Sequence, residues 1–99
     1  MLKSLDSRRA APSTENLDDL RRKIDALDDD LLELLARRMS VSREIGQYKR
    51  EHNLPVVQTA RYKDLMEKRV LNGEKLELSP DFVKAILAII HEESVRQQI

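Results

Sequence analysis

The sequence predicts an all-α fold of three helices per chain, one very long, one short and one medium, paired with a second copy in an intertwined homodimeric helical bundle. Three observations carry this expectation. Leu, Glu, Lys, Arg, Asp and Ala dominate the 99 residues, a helix-rich composition. Only two Gly and three Pro occur, too few for the turns of a sheet protein. Apolar residues recur from Leu17 onward at alternating steps of three and four, the spacing of a heptad seam.

Residues 1–14 mix Lys, Ser, Asp, Arg and Pro without periodicity and read as a flexible tail or linker ahead of a helical domain over 15–99. No apolar stretch follows Met1-Leu2-Lys3, so no secretory signal is expected and the expected location is cytoplasmic. Ser13 or Thr14 is a candidate cap for the first helix, with Asn16 a later one. From there to about Glu51 no Pro occurs, and the only Gly is Gly46. The seam runs Leu17, Leu20, Ile24, Leu27, Leu31, Leu34, then Val41, Ile45 and Tyr48. A helix of ~35 residues is roughly 50 Å long, against a radius of gyration of ~13 Å for a compact chain of this size. Such a helix must project from a monomer, and two shorter helices cannot cover its whole seam. An obligate homodimer sharing one core follows.

Asn53 and Pro55 punctuate the next stretch. Thr59 is the expected cap of a second helix over about 60–71, with Leu65, Met66 and Val70 on its apolar face. Asn72-Gly73 is expected to end it as a left-handed stop. Ser79-Pro80-Asp81 then opens the third helix, with Ser as cap, Pro in the first turn and Asp at the positive end of the dipole. Its stripe runs Val83, Leu87 and Ile90, widened by Ile86 and Ile89, and continues into the polar Ser94 and Gln98.

Composition excludes several functions. Eighteen basic residues balance eighteen acidic ones, which argues against a nucleic-acid partner. The longest apolar run, Ala85 to Ile90, falls far short of the ~20 residues that cross a bilayer. Without Cys there is no disulfide, thiolate zinc site or cysteine nucleophile. Neither His52 nor His91 follows an acid at the spacing of di-metal bundles, and no Gly-rich phosphate loop is present. The run Asp28-Asp29-Asp30 reads as a solvated face, a magnesium site being the minor reading, with Asp25, Asp28 and Asp29 placed to pair with Arg21, Arg22 and Lys23. No metal or cofactor is expected.

The informative residues interrupt the apolar pattern. Arg38 occupies the seam position between Leu34 and Val41. Lys49 follows 11 residues later, about 20° from the same face and roughly 16 Å along the axis. Ser94 and Gln98 share one face of the third helix, and Arg61 sits in the first turn of the second. Taken singly, such residues set pairing register, snorkel to water or fray at a chain end. Together they gather cations and neutral donors at a helical core with few acceptors. Because an unpaired buried charge is costly, the set predicts an anionic ligand.

Leu20-Arg21-Arg22-Lys23-Ile24-Asp25, Leu31 to Arg38, Ile45-Gly46-Gln47-Tyr48-Lys49, Pro55-Val56, Arg61 and Ile89 to Gln98 form an ordered set. The set resembles the all-helical class of chorismate mutase over roughly residues 17–99. The resemblance implies an intertwined dimer of three-helix chains and a cofactor-free [3,3] rearrangement of chorismate to prephenate, within Phe and Tyr biosynthesis. It implies that Arg38 pairs with a substrate carboxylate and that Arg21 of the partner subunit completes the site. Arg21 and Arg38 of one chain lie 17 residues apart, ~25 Å along a helix, beyond the reach of one small ligand. It further implies that Lys49 and Gln98 donate to the ether oxygen, that Ser94 lies near a carboxylate and that Arg61 supports the site. Members of the family often carry an Asp in the loop and a hydroxyl-binding Glu after the second-helix arginine. Here those positions hold Gln58 and Tyr62, either of which can take over the hydroxyl contact. An isochorismate pyruvate lyase on the same fold is the near alternative, with Ser94 and the long loop before Arg61 more mutase-like. A non-catalytic dimerisation or regulatory module is the other. Some members are fused to another shikimate-pathway enzyme, and a linker over 1–14 permits that.

Overall fold

The computed structural model describes residues 15–99. Three helices follow in order: α1 at Leu17–Glu51, α2 at Thr59–Lys75 and α3 at Pro80–Gln98. The all-α expectation holds, and the described residues contain no strand. No described helix is long and apolar enough to cross a membrane. The expected tail over 1–14, with the candidate caps Ser13 and Thr14, lies outside the described residues.

Asn16 is the cap that α1 uses. Its Oδ1 accepts from the Asp19 backbone N–H at 2.9 Å, while Asp18 and Asp19 place negative charge at the positive end of the helix dipole. At the other end Asn53 takes a left-handed φ of 55°. This lets Leu54 N–H reach Lys49 O at 2.8 Å and Asn53 N–H reach Arg50 O at 3.4 Å, the two bonds of a left-handed helix stop. Pro55 then prevents resumption.

The chain divides into two compact units after Arg37. In the first, the seam residues Leu17, Leu20, Ile24, Leu27, Leu31 and Leu34 are all exposed. Arg22 pairs with Asp19 and Lys23 with Glu15 at 2.5 Å, not with Asp25, Asp28 and Asp29 as expected. Both cations thus pair with acids N-terminal to them, the order that the helix dipole favours.

In the second unit α2 packs on α3 around the buried Leu65 and Val83. Two local expectations are corrected here. α2 does not stop at Asn72-Gly73 but runs on to Lys75. Gly73 is helical and lies against Val83, where a Cβ would fall 2.7 Å from Cγ2, so its small size serves packing rather than a turn. The left-handed residue is Glu77, with φ 62° and a helix stop closed by Leu78 N–H to Gly73 O at 2.9 Å. Thr59 is not the cap but the first helical residue; Gln58 holds the cap position with no capping bond from its side chain. α3 begins as expected, with Ser79 Oγ accepting from Phe82 N–H at 3.4 Å and Pro80 in the first turn.

Candidate active site

Within the second unit, Arg38, Lys49, Gln58, Arg61, Tyr62, Ser94 and Gln98 line one pocket of about 340 Å³. That volume lies in the range of small-molecule sites. Seven of the eight expected site residues are therefore brought together. The eighth, Arg21, belongs to the first unit, is exposed on α1 and does not line the pocket. Ile45, Val56, Leu65 and His91 complete the lining.

The polar centre is held by hydrogen bonds within the chain. Lys49 Nζ donates to Gln98 Oε1 at 2.7 Å and to Val56 O at 2.6 Å. The lysine consumes the acceptor end of the amide, which leaves the two N–H donors of Gln98 for another partner. Gln98 is buried although it is the last residue of α3, and Ser94 one turn earlier is buried too. Neither is frayed surface.

Three α1 residues at four-residue spacing hold that end of α3. Ser42 and Ser94 join through their hydroxyls in a buried hydrogen bond. A Cβ on Gly46 would lie 2.6 Å from both the Cα and the O of Gln98, so only glycine permits this approach. Arg50 Nη1 donates to Gln98 O at 2.8 Å, satisfying a carbonyl left over at the helix end. Sequence reasoning missed Gly46, Arg50, the Val56 carbonyl and His91 as contributors. The signal for the first two lay in Ser42, Gly46 and Arg50 facing Ser94 and Gln98 at matching four-residue intervals.

Electrostatics favour an anion. Three cations line the pocket, and among the described residues no Asp or Glu does. Burial, then Arg69 and Arg61, hold the Arg38 guanidinium below its ordinary value, though an arginine remains charged. Burial, then Arg38 and Lys49, lower His91, with Glu92 opposing, so its ring is neutral near pH 7. His91 meets the Tyr62 ring at a centroid distance of 4.2 Å and a tilt of 42°. Among the described residues no fully buried side-chain polar atom lacks a partner. The positive charge is therefore offered into an open pocket instead of being sealed in a core.

Residues 20–99 match the family model described as chorismate mutase type II. The T-protein of Haemophilus influenzae is 35% identical over 80 residues, 81% of this chain and 21% of that protein. The bifunctional chorismate mutase/prephenate dehydratase of Escherichia coli K12 is 37% identical over 79 residues, 80% of this chain and 20% of that protein. The 4-amino-4-deoxychorismate mutase of Streptomyces pristinaespiralis is 30% identical over 86 residues, 87% of this chain and 67% of that protein. The chain thus spans about a fifth of the length of the first two relatives.

Proposed function

The chain belongs to the chorismate mutase type II family, and from that premise we propose that it rearranges chorismate to prephenate in the pocket of the second unit. The observation that carries this reading is the Lys49–Gln98 pair, bonded at 2.7 Å beside Arg38 and Arg61. The reaction breaks an ether C–O bond and forms a C–C bond within one molecule. It needs no nucleophile and no proton transfer. It needs the substrate held in its reactive conformer, a positioning effect that two carboxylates on fixed cations supply. It also needs stabilisation of the negative charge that grows on the ether oxygen. Lys49 and the free N–H groups of Gln98 are donors already in place for that charge, the logic of an oxyanion hole. Arg38 is the carboxylate clamp, Ser94 a neighbouring hydroxyl donor and Arg61 a supporting cation.

The site works in a homodimer, in which Arg21 of the partner subunit adds a further cation. The exposed leucine seam of α1 supports this pairing. The names of the bifunctional relatives support a place for such a domain beside a second enzyme of the same pathway, fused or associated.

The test follows loss of chorismate absorbance with identification of the product. Prephenate is expected, and Lys49→Ala should lower kcat by about 10²-fold or more, the usual effect of losing one such donor. A near-normal kcat in that variant would remove Lys49 from the mechanism. Incubation with isochorismate separates the lyase alternative, which would release salicylate. The likeness to a protein named 4-amino-4-deoxychorismate mutase makes the ring-amino compound the other substrate to assay.

A further inference from the structure

The donors of Gln98 hang from the C-terminal end of α3, which is the negative end of that helix's dipole. This is the unfavourable end at which to stabilise a growing negative charge; helix N-termini are the usual anion sites. Two consecutive residues of α1 offset the difficulty. Lys49 donates to the Gln98 side chain at 2.7 Å, and Arg50 donates from Nη1 to the Gln98 backbone carbonyl at 2.8 Å. Side chain and main chain of one residue are thus gripped together from another helix. The carbonyl is one that a helix leaves unpaired at its C-terminal end. A guanidinium on it makes a charge-assisted hydrogen bond and sets positive charge against the negative end of α3.

Arg50 is exposed and does not line the pocket, so it is no ligand of the substrate. A second arginine of α1 supplies the contrast. Arg43, seven residues earlier and also exposed, donates from Nη1 to Gln97 Oε1 at 2.8 Å. Donor atom and distance match, but Arg43 holds a neighbouring side chain, and Gln97 does not line the pocket. That side chain has a second support in its own bond to Glu93 Oε2 at 2.7 Å. Gly46 lets the Gln98 backbone come close to α1, and Arg50 fastens it there. We propose that Arg50 is a positioning residue for the rearrangement, acting through Gln98: it fixes the backbone that carries the ether-oxygen donors and offsets the negative helix end beside them. This rests on the mutase reading. Misplacing a preorganised donor slows the chemical step, while the carboxylate clamp still binds substrate.

The experiment measures kcat and KM for prephenate formation at pH 7.5 in the wild-type chain, Arg50→Met, Arg50→Lys and Arg43→Met. Arg50→Met should lower kcat about tenfold and change KM by less than about twofold. Arg50→Lys should recover most of the loss, because the contact is a single bond and an ammonium keeps both donor and charge. Arg43→Met should keep kcat within about twofold of wild type, as for most exposed substitutions. Equal loss in Arg50→Met and Arg43→Met would show a general loosening of α3 and overturn the proposal. An unchanged kcat in Arg50→Met, or a loss expressed in KM alone, would overturn it too, with the mutase reading left standing. No prephenate from the wild type would overturn the mutase reading and this inference with it. Arg50→Gln, which lacks the charge and the reach, carries the same expectation if Arg50→Met does not fold.

Discussion

Gln98 has one acceptor atom and two donor hydrogens, and the structure spends the acceptor on Lys49 at 2.7 Å. That division of labour is a residue-scale property with a residue-scale test. Gln98→Glu retains an oxygen for the lysine but exchanges the N–H donors for a second acceptor. At neutral pH the carboxylate would face the growing negative charge on the ether oxygen and oppose it. We expect kcat at pH 7.5 to fall about 10²-fold, as for loss of any such donor. It should then recover as the pH falls and the carboxyl gains a proton, since protonation restores a donor. The kcat–pH profile of the variant measures this; a flat profile would show that the Gln98 donors do not act on the reacting atoms. Much at this scale was readable in advance. Arg38, Lys49, Ser94 and Gln98 each break an apolar stripe where a Leu or Ile would otherwise stand. His91 was not readable, because its place on the pocket wall depends on meeting Tyr62 from another helix.

At the scale of elements, the two glycines separate two uses of one residue type. Both are helical, and both lie under a neighbouring helix. A mid-helix Gly→Ala exchange ordinarily stabilises by about 1 kcal/mol through the unfolded chain and helix propensity. At Gly46 the added methyl would sit 2.6 Å from the Gln98 backbone, which has no rotamer to escape through. We therefore expect the opposite sign, a loss of about 1–3 kcal/mol in urea or thermal unfolding, as in other overpacked interiors. As Gln98 is displaced from Lys49, kcat should fall more than KM rises. A Gly46→Ala protein more stable than wild type would refute the close approach. The expected helix stop at Asn72-Gly73 fails for the same reason. An Asn-Gly pair carries the turn signal, but Val83 packing on Gly73 outweighs it and the left-handed residue moves to Glu77. Local signals succeeded where no long-range contact competed, as at Asn16, Asn53 and Ser79-Pro80.

At the scale of the whole molecule, the exposed seam of α1 poses the central question. Leu17, Leu20, Ile24, Leu27, Leu31 and Leu34 are each at least 41% exposed in the single chain. An exposed apolar run of this length is a candidate contact surface. The homodimer reading makes a quantitative prediction by subunit mixing. Arg21→Ala and Lys49→Ala protomers should each be nearly inactive alone. When dissociated together and reassembled, half of the dimers are hybrids, and each hybrid holds one wholly wild-type site. About a quarter of wild-type activity should return if Arg21 of the partner subunit serves each site. No recovery, with hybrid formation verified by native mass spectrometry, would show that Arg21 does not serve the partner subunit's site.

By itself the sequence determined the helices, most of their ends, and the identity of the pocket's cations and donors. Those depend on propensity, capping chemistry and the periodicity with which polar residues interrupt an apolar stripe, all local along the chain. Only the tertiary structure decided that Lys49 takes the Gln98 acceptor, that the Val56 carbonyl steadies the lysine, and that Gly46 and Arg50 seat the end of α3. It also decided that Tyr62 meets His91 on the wall of the pocket. These contacts join residues tens of positions apart and turn on separations of a few ångströms. A hydrogen bond or a steric clash depends on where atoms lie in space, and residue spacing along one chain carries that information only within a single helix.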